Sequence, residues 1–215
     1  MWLTRRLMAV RMCTMISNTT DLNTRTSWII VVLYTGLIFA TLADVVLIMD
    51  VIERSVGNIL GTALSVLTLV LLALFLLYLI VIKKERRPWR YFLMIFVIAS
   101  VAIIQRFIFY PAEKVHLVEY GILGWMIYHA VREGGGSIVA GYFWTMALVL
   151  TIGTADEIVQ AYLPMRVFDF RDIVINFHSG ILGAVACAGL SYRWEDESPA
   201  DTDLPTDDTE NHENP

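Results

Sequence analysis

Glu113, His116, Glu119 and Tyr120 lie within eight residues of one another, and Asp156, Glu157 and Gln160 open a second polar run that continues through Arg166, Asp169, Arg171 and Asp172 to Asn176. These are the residue types that carry protons, grip phosphate or hold metal ions. On a helix, Glu113, His116, Tyr120 and Gly124 share one face. Asp156 stands four residues before Gln160 and Glu157 three, so either carboxylate can reach the amide. Asp172, Asn176, Ser179 and Gly183 align in the same manner. Three polar faces therefore converge if the helices that carry them pack together.

Several chemistries fit such a cluster. His116 flanked by acids suits general acid or base work, because its ordinary pKa of about 6.5 is easily tuned, with Glu113, Asp156 and Glu157 as companion catalytic candidates. Lys114, Arg166 and Arg171 have the charge to bind a phosphate, and Tyr120, Gln160, Asp169, Asp172 and Asn176 complete a candidate binding set. Glu113-x-x-His116 has the spacing of a helical metal motif, but di-metal bundles use two such motifs and this chain has one. A site of Glu113, His116, Asp156 and Asp172 is conceivable, yet no metal is assigned and the cofactor is left open. The plainer alternative is ion pairing and capping, with Asp172 capping its helix and Asp169 pairing with Arg166 or Arg171.

The elements that must position these groups are apolar helices. Over 215 residues the chain is 57% hydrophobic and 17% charged, with a mean hydropathy of +0.61, far from a soluble domain. It reads as an all-helical, polytopic membrane protein. Six stretches approach the roughly 20 apolar residues that a hydrocarbon core of about 30 Å requires. They run over about 27–49, 58–82, 91–110, 113–131, 137–162 and 172–192, the fourth weakened by His116, Glu119 and His129. Pro111 is expected to stop the third, and Gly134-Gly-Gly136 separates the fourth from the fifth. Asp44 and Arg106, isolated within apolar helices, are expected to pair with each other.

Charge bias sets an expected orientation. With a cytoplasmic N-terminus, eleven Lys and Arg fall on the cytoplasmic side, many in the 83–90 loop, and four fall opposite, as the positive-inside rule prefers. Both polar runs then face away from the cytoplasm. The net charge is −5, but the last 21 residues hold nine acids and no Lys or Arg; this tail cannot bury enough apolar surface to order itself. Two cysteines, Cys13 and Cys187, support neither a disulfide framework nor a cysteine metal site. Gly134-Gly-Gly136 lacks the context of a nucleotide-binding loop, and nothing beyond the basic 83–90 loop suggests nucleic acid.

The order Glu-Lys-x-x-His with a following Tyr and Gly, then Asp156-Glu-x-x-Gln160 with Pro164 and Arg166, then Asp169-x-x-Asp172 and Asn176 ahead of a small-residue helix, resembles VanZ-like membrane proteins. The resemblance spans about 91–192, with Glu113 where the family more often has Asp. It leaves 27–82 as two additional N-terminal helices, 1–26 as a cytoplasmic segment and 194–215 as a tail. It implies a place in the cell envelope and in teicoplanin-type glycopeptide resistance, with no settled mechanism. The combined expectation is an extracytoplasmic polar site that recognises membrane lipids, a lipid-linked glycan or a lipoglycopeptide. A hydrolase or transferase on a lipid phosphate is the main rival. A small-solute transporter comes third, because the polar groups gather at one mouth instead of tracing a path through the midplane.

Overall fold

The computed structural model describes residues 2–57, 59–82, 84, 86–108, 110–163 and 168–191, so Pro164, Arg166 and the acidic tail lie outside the described residues. The described residues form six helices: α1 (Trp2–Val56), α2 (Ile59–Val81), α3 (Pro88–Ile104), α4 (Pro111–Glu133), α5 (Ile138–Gln160) and α6 (Phe170–Ser191). No strand occurs among the described residues.

Four of the helices contain a stretch long and apolar enough to cross a membrane: Leu22–Asp44 within α1, Ile59–Val81, Ile138–Gln160 and Phe170–Leu190. The other two fall short for different reasons. The 17 residues of α3 rise only about 26 Å at helical pitch, against a hydrocarbon core of about 30 Å. The 23 residues of α4 are long enough, but the helix carries the polar groups. It is the innermost helix, packed on α1, α2, α5 and α6, which is where a polar membrane helix hides its side chains from lipid.

Helix ends follow local chemistry. Pro88 and Pro111 each sit in the first turn of their helix, where the missing N–H costs nothing. Tyr110 is extended, with φ −94° and ψ 139°, because the residue before a proline is pushed out of the helical region. The third helix was expected to run to Pro111; it ends at Ile104, and Pro111 begins α4 instead of stopping α3. Ser137 caps α5 by accepting the amide of Ala140 at 3.1 Å. The first helix, expected to begin near 27, is continuous from Trp2. Backbone hydrogen bonds persist past the end of the apolar run, which sets only the part suited to lipid.

The closest helix pair is α4 with α6, and small residues make it. Gly121-Ile-Leu-Gly124 recurs as Gly180-Ile-Leu-Gly183. A Cβ on Gly124 would lie 2.0 Å from the Gly180 carbonyl oxygen, and one on Gly183 would lie 1.9 Å from that of Gly121. The contact is reciprocal, and only glycine permits it. The two helices run parallel: Glu113 meets Arg171 at one end, and Tyr128 clusters with Cys187 toward the other. Glu113 and Asp172 each stand eight residues before the first glycine of their helix, so the pairing brings both carboxylates to the same end.

The expected Asp44–Arg106 pair does not form. Both residues are exposed, and no ion pair joins them among the described residues. Asp44 lies in α1 and Arg106 in the turn just past α3, and those two helices do not pack against each other.

Candidate functional site

Helices α4, α5 and α6 bring the two polar runs to one end of the bundle. Glu113, His116, Tyr120, Asp156, Glu157, Gln160, Asp172 and Asn176 are all buried. Such groups are stable only when their hydrogen bonds are made, and the contacts tie most of them into one network. Tyr120 Oη donates to Asp156 Oδ2 at 2.9 Å, and Gln160 Nε2 donates to Asp156 Oδ1 at 3.0 Å. Of the two carboxylates in reach of Gln160, it is Asp156 that holds the amide. Glu157 turns instead toward the connection into α6 and accepts the Asp169 amide at 3.1 Å.

His116 sits between the helices. Its Nδ1 is 3.2 Å from Glu119 Oε2 and 3.9 Å from Asp156 Oδ2, while Nε2 is 3.5 Å from Gln160 Nε2. A carboxylate on one ring nitrogen fixes the orientation of the ring, as in acid–base sites. Glu119 therefore belongs to the site, although sequence reasoning left it out of the candidate sets. The signal was present in its i,i+3 spacing from His116.

The entry to α6 closes the cluster. Asp169 Oδ1 accepts the Arg171 amide at 2.8 Å, so Asp169 caps α6, a role that Asp172 was expected to take. The Arg171 guanidinium bridges Glu113 Oε1, Asp169 and the Phe107 carbonyl. Asp172 is buried at the same end, beside Glu113. Gly153 opens the space next to Asn176: a Cβ there would lie 3.3 Å from Asn176 Cβ and 3.5 Å from Tyr120 Cε1.

Lys114 is directed elsewhere. Its Nζ donates to the Gly61 carbonyl at 2.9 Å and to Ser65 Oγ at 2.8 Å, tying α4 to α2. Of the three cations considered for a phosphate, Lys114 is turned to α2, Arg171 is committed to carboxylates, and Arg166 lies outside the described residues. Among the described residues, no group of three or more His, Cys, Asp or Glu is placed to hold a metal ion. Gln105, buried at the end of α3 with no partner for its amide nitrogen among the described residues, is a further polar group that sequence reasoning passed over.

The family model described as VanZ/LLP1 matches residues 69–191. The chain belongs to the VanZ/LLP1 family. Four apolar helices make it a membrane protein of that family. The match begins within α2, ahead of the expected start near 91, and takes in every described residue of the polar site. No curated protein and no solved structure matches the chain. This VanZ/LLP1 protein thus draws its candidate chemistry from its own geometry: acceptor-rich, buried and organised around His116, Tyr120 and Asp156.

Proposed function

We propose that this protein recognises the head of a membrane lipid, or of a lipid-linked glycan, in the polar site formed by α4, α5 and α6. The observation that carries this reading is Asn176. Its side chain is fully buried, and neither its amide nitrogen nor its amide oxygen has a hydrogen-bond partner among the described residues. An unmade hydrogen bond at a buried group costs about 1–3 kcal/mol, so a site that keeps such a group is matched to something that completes it. Glu113 Oε2 is in the same position. Both lie buried at the polar end of the α4, α5 and α6 bundle.

All six helices cross the membrane in this reading, with α3 and α4 shielded by the others. Both termini are cytoplasmic, as the charge bias prefers, and the polar site faces outward. That places it where lipid-linked envelope intermediates and lipoglycopeptides are met, in keeping with a role in teicoplanin-type resistance.

The test is a mass-spectrometric inventory of lipids retained by the purified protein, wild type against Asn176→Leu and Asp156→Asn. Loss of about 1.4 kcal/mol of head-group contact lowers retention of the recognised lipid about tenfold. Identical inventories in all three proteins, with folding intact, remove the site from lipid recognition.

The contact of His116 with Glu119 and Asp156 favours a second reading, hydrolysis or transfer on a lipid phosphate or lipid-linked glycan with His116 as acid or base. Turnover by the purified protein on phospholipids or polyprenyl phosphates, abolished in His116→Ala, supports it. Turnover unchanged in that variant takes the histidine out of the mechanism.

A further inference from the structure

An apolar cavity of about 630 Å³ lies among α1, α2, α3, α4 and α6. Among the described residues, none on α5 and none of the polar site lines it, so it is a separate feature. It is a cleft and not a sealed void. Its floor is α4: although that helix is the innermost, Val118, Ile122 and His129 are exposed, and all three line the cavity.

The dimensions select the occupant. Along α4 the lining runs from Leu117 to His129, about 18 Å at helical rise, so the mean cross-section of a 630 Å³ cavity is about 35 Å². A helix with its side chains is about 10–12 Å across, or about 80–110 Å² in section. A helix from a second copy or from a partner therefore does not fit, whereas a single extended hydrocarbon chain is narrow enough. One leaflet of a hydrocarbon core of about 30 Å is about 15 Å deep, close to the length of the cleft.

One end of the cleft is charged. His129 and Ser27 line it there, and both meet the Glu133 carboxylate. In the α3 wall, Met94 stands one turn from Arg90 on the same face of that helix. The start of α3 belongs to the same end of the bundle: Leu93 Cδ1 lies 3.6 Å from where a Cβ on Gly189 would stand, near the close of α6, and Cys187 of α6 clusters with Tyr128 of α4. Arg25, Lys84, Arg86, Arg87, Arg90 and Arg132 share this end, and Glu133 is the one acid among the side chains described there. The polar site at the other end is rich in acids, so the two ends differ in sign. An anionic head at the His129 end meets charge opposite to its own.

We propose that this cleft holds one acyl chain of an acidic phospholipid, with its phosphate at the end marked by His129 and Arg90, as a second lipid site independent of the one formed by α4, α5 and α6. In the orientation proposed above this is a lipid of the cytoplasmic leaflet. The apolar wall holds the chain, and the basic rim selects the head.

The experiment uses the full chain in phosphatidylcholine nanodiscs that carry a small share of one of two probes with identical brominated chains, a phosphatidylglycerol or a phosphatidylcholine. The reporter is Trp125, which lines the cleft and packs edge-on against Phe75 at 6.1 Å. Its bromine quenching is read as the difference between wild type and Trp125→Phe. A basic residue near the membrane surface contributes about a fivefold preference for an anionic lipid. The phosphatidylglycerol is therefore expected to bind at least about fivefold more tightly than the phosphatidylcholine, and Arg90→Gln is expected to weaken the phosphatidylglycerol about fivefold while leaving the phosphatidylcholine unchanged. Filling the cleft by Leu72→Phe or Val118→Phe, on different helices and each checked for folding, lowers quenching by both probes at least about fivefold, the lower end of the cost of overpacking.

Trp125 quenched by neither probe, or quenched as strongly in both filling variants as in wild type, overturns the placement of a chain in the cleft. Equal affinity for the two probes, or a preference unchanged in Arg90→Gln, overturns the acidic head at this end.

Discussion

Deleting a single oxygen in Tyr120→Phe tests whether the polar network is built as described. Tyr120 and Asp156 are both fully buried, and their bond is 2.9 Å long. The substitution leaves Asp156 Oδ2 without that donor while Gln160 still serves Oδ1. An unsatisfied buried acceptor costs about 1–3 kcal/mol, or about 5- to 150-fold in the folding equilibrium. Asp156→Ala should cost more, about 2–6 kcal/mol, because both the Tyr120 hydroxyl and the Gln160 amide lose their acceptor. In the double variant the tyrosine part of that penalty has no group left to act on. The two costs should then fall short of additivity by about 1–3 kcal/mol, the range for residues in direct contact. The assay is reversible unfolding in mixed micelles with rising dodecyl sulfate, followed by circular dichroism, on wild type, the two single variants and the double. Costs that add to within about 0.5 kcal/mol, as they do for independent sites, would show that Tyr120 and Asp156 are not bonded and that α4 and α5 are not locked through this carboxylate.

Three further outcomes are expected. Gly124→Ala puts a Cβ 2.0 Å from the Gly180 carbonyl oxygen and should cost about 1–3 kcal/mol or more by forcing α4 from α6; Gly36→Ala, with nothing within 4 Å, should be neutral or stabilising by about 0.5–1 kcal/mol. The same unfolding assay compares them, and equal effects would refute the close helix contact. Lys114→Met removes the donor to Gly61 and Ser65 and should cost about 1–3 kcal/mol while leaving the lipid inventory unchanged; loss of the retained lipid would return Lys114 to the binding site. In a Cys13→Ser background, where Cys187 is buried, Phe168→Cys should react with an impermeant maleimide on intact cells, and protection of that exposed position would reverse the proposed orientation.

Much of this protein is legible in its sequence because membrane insertion and helix capping are local. The apolar runs mark six helices, and the repeated Gly-x-x-Gly pattern of α4 and α6 allows the close approach that those helices make, whereas Pro111, read as the stop of α3, begins α4 instead. The polar faces of Glu113, His116 and Tyr120, of Asp156 and Gln160, and of Asp172 and Asn176 follow from helical periodicity, and they do converge. What periodicity leaves open is which neighbour each side chain meets. Asp156 at i,i+4 and Glu157 at i,i+3 are both spaced to serve Gln160, yet one is enclosed between α4 and α5 and the other reaches the α6 entry, a choice made by how α5 is rotated in the bundle. Lys114 lies one residue from Glu113, and that step of about 100° around the helix turns it to α2 and away from the acids. Asp169 and Asp172 are both plausible caps, and the start of α6 at Phe170 decides for Asp169. The exposed and separate places of Asp44 and Arg106 and the apolar cavity among α1, α2, α3, α4 and α6 depend on packing between segments distant in the chain. Composition and period act over a turn or two of helix, whereas cavities, partners and burial are set by contacts that only the assembled helices make.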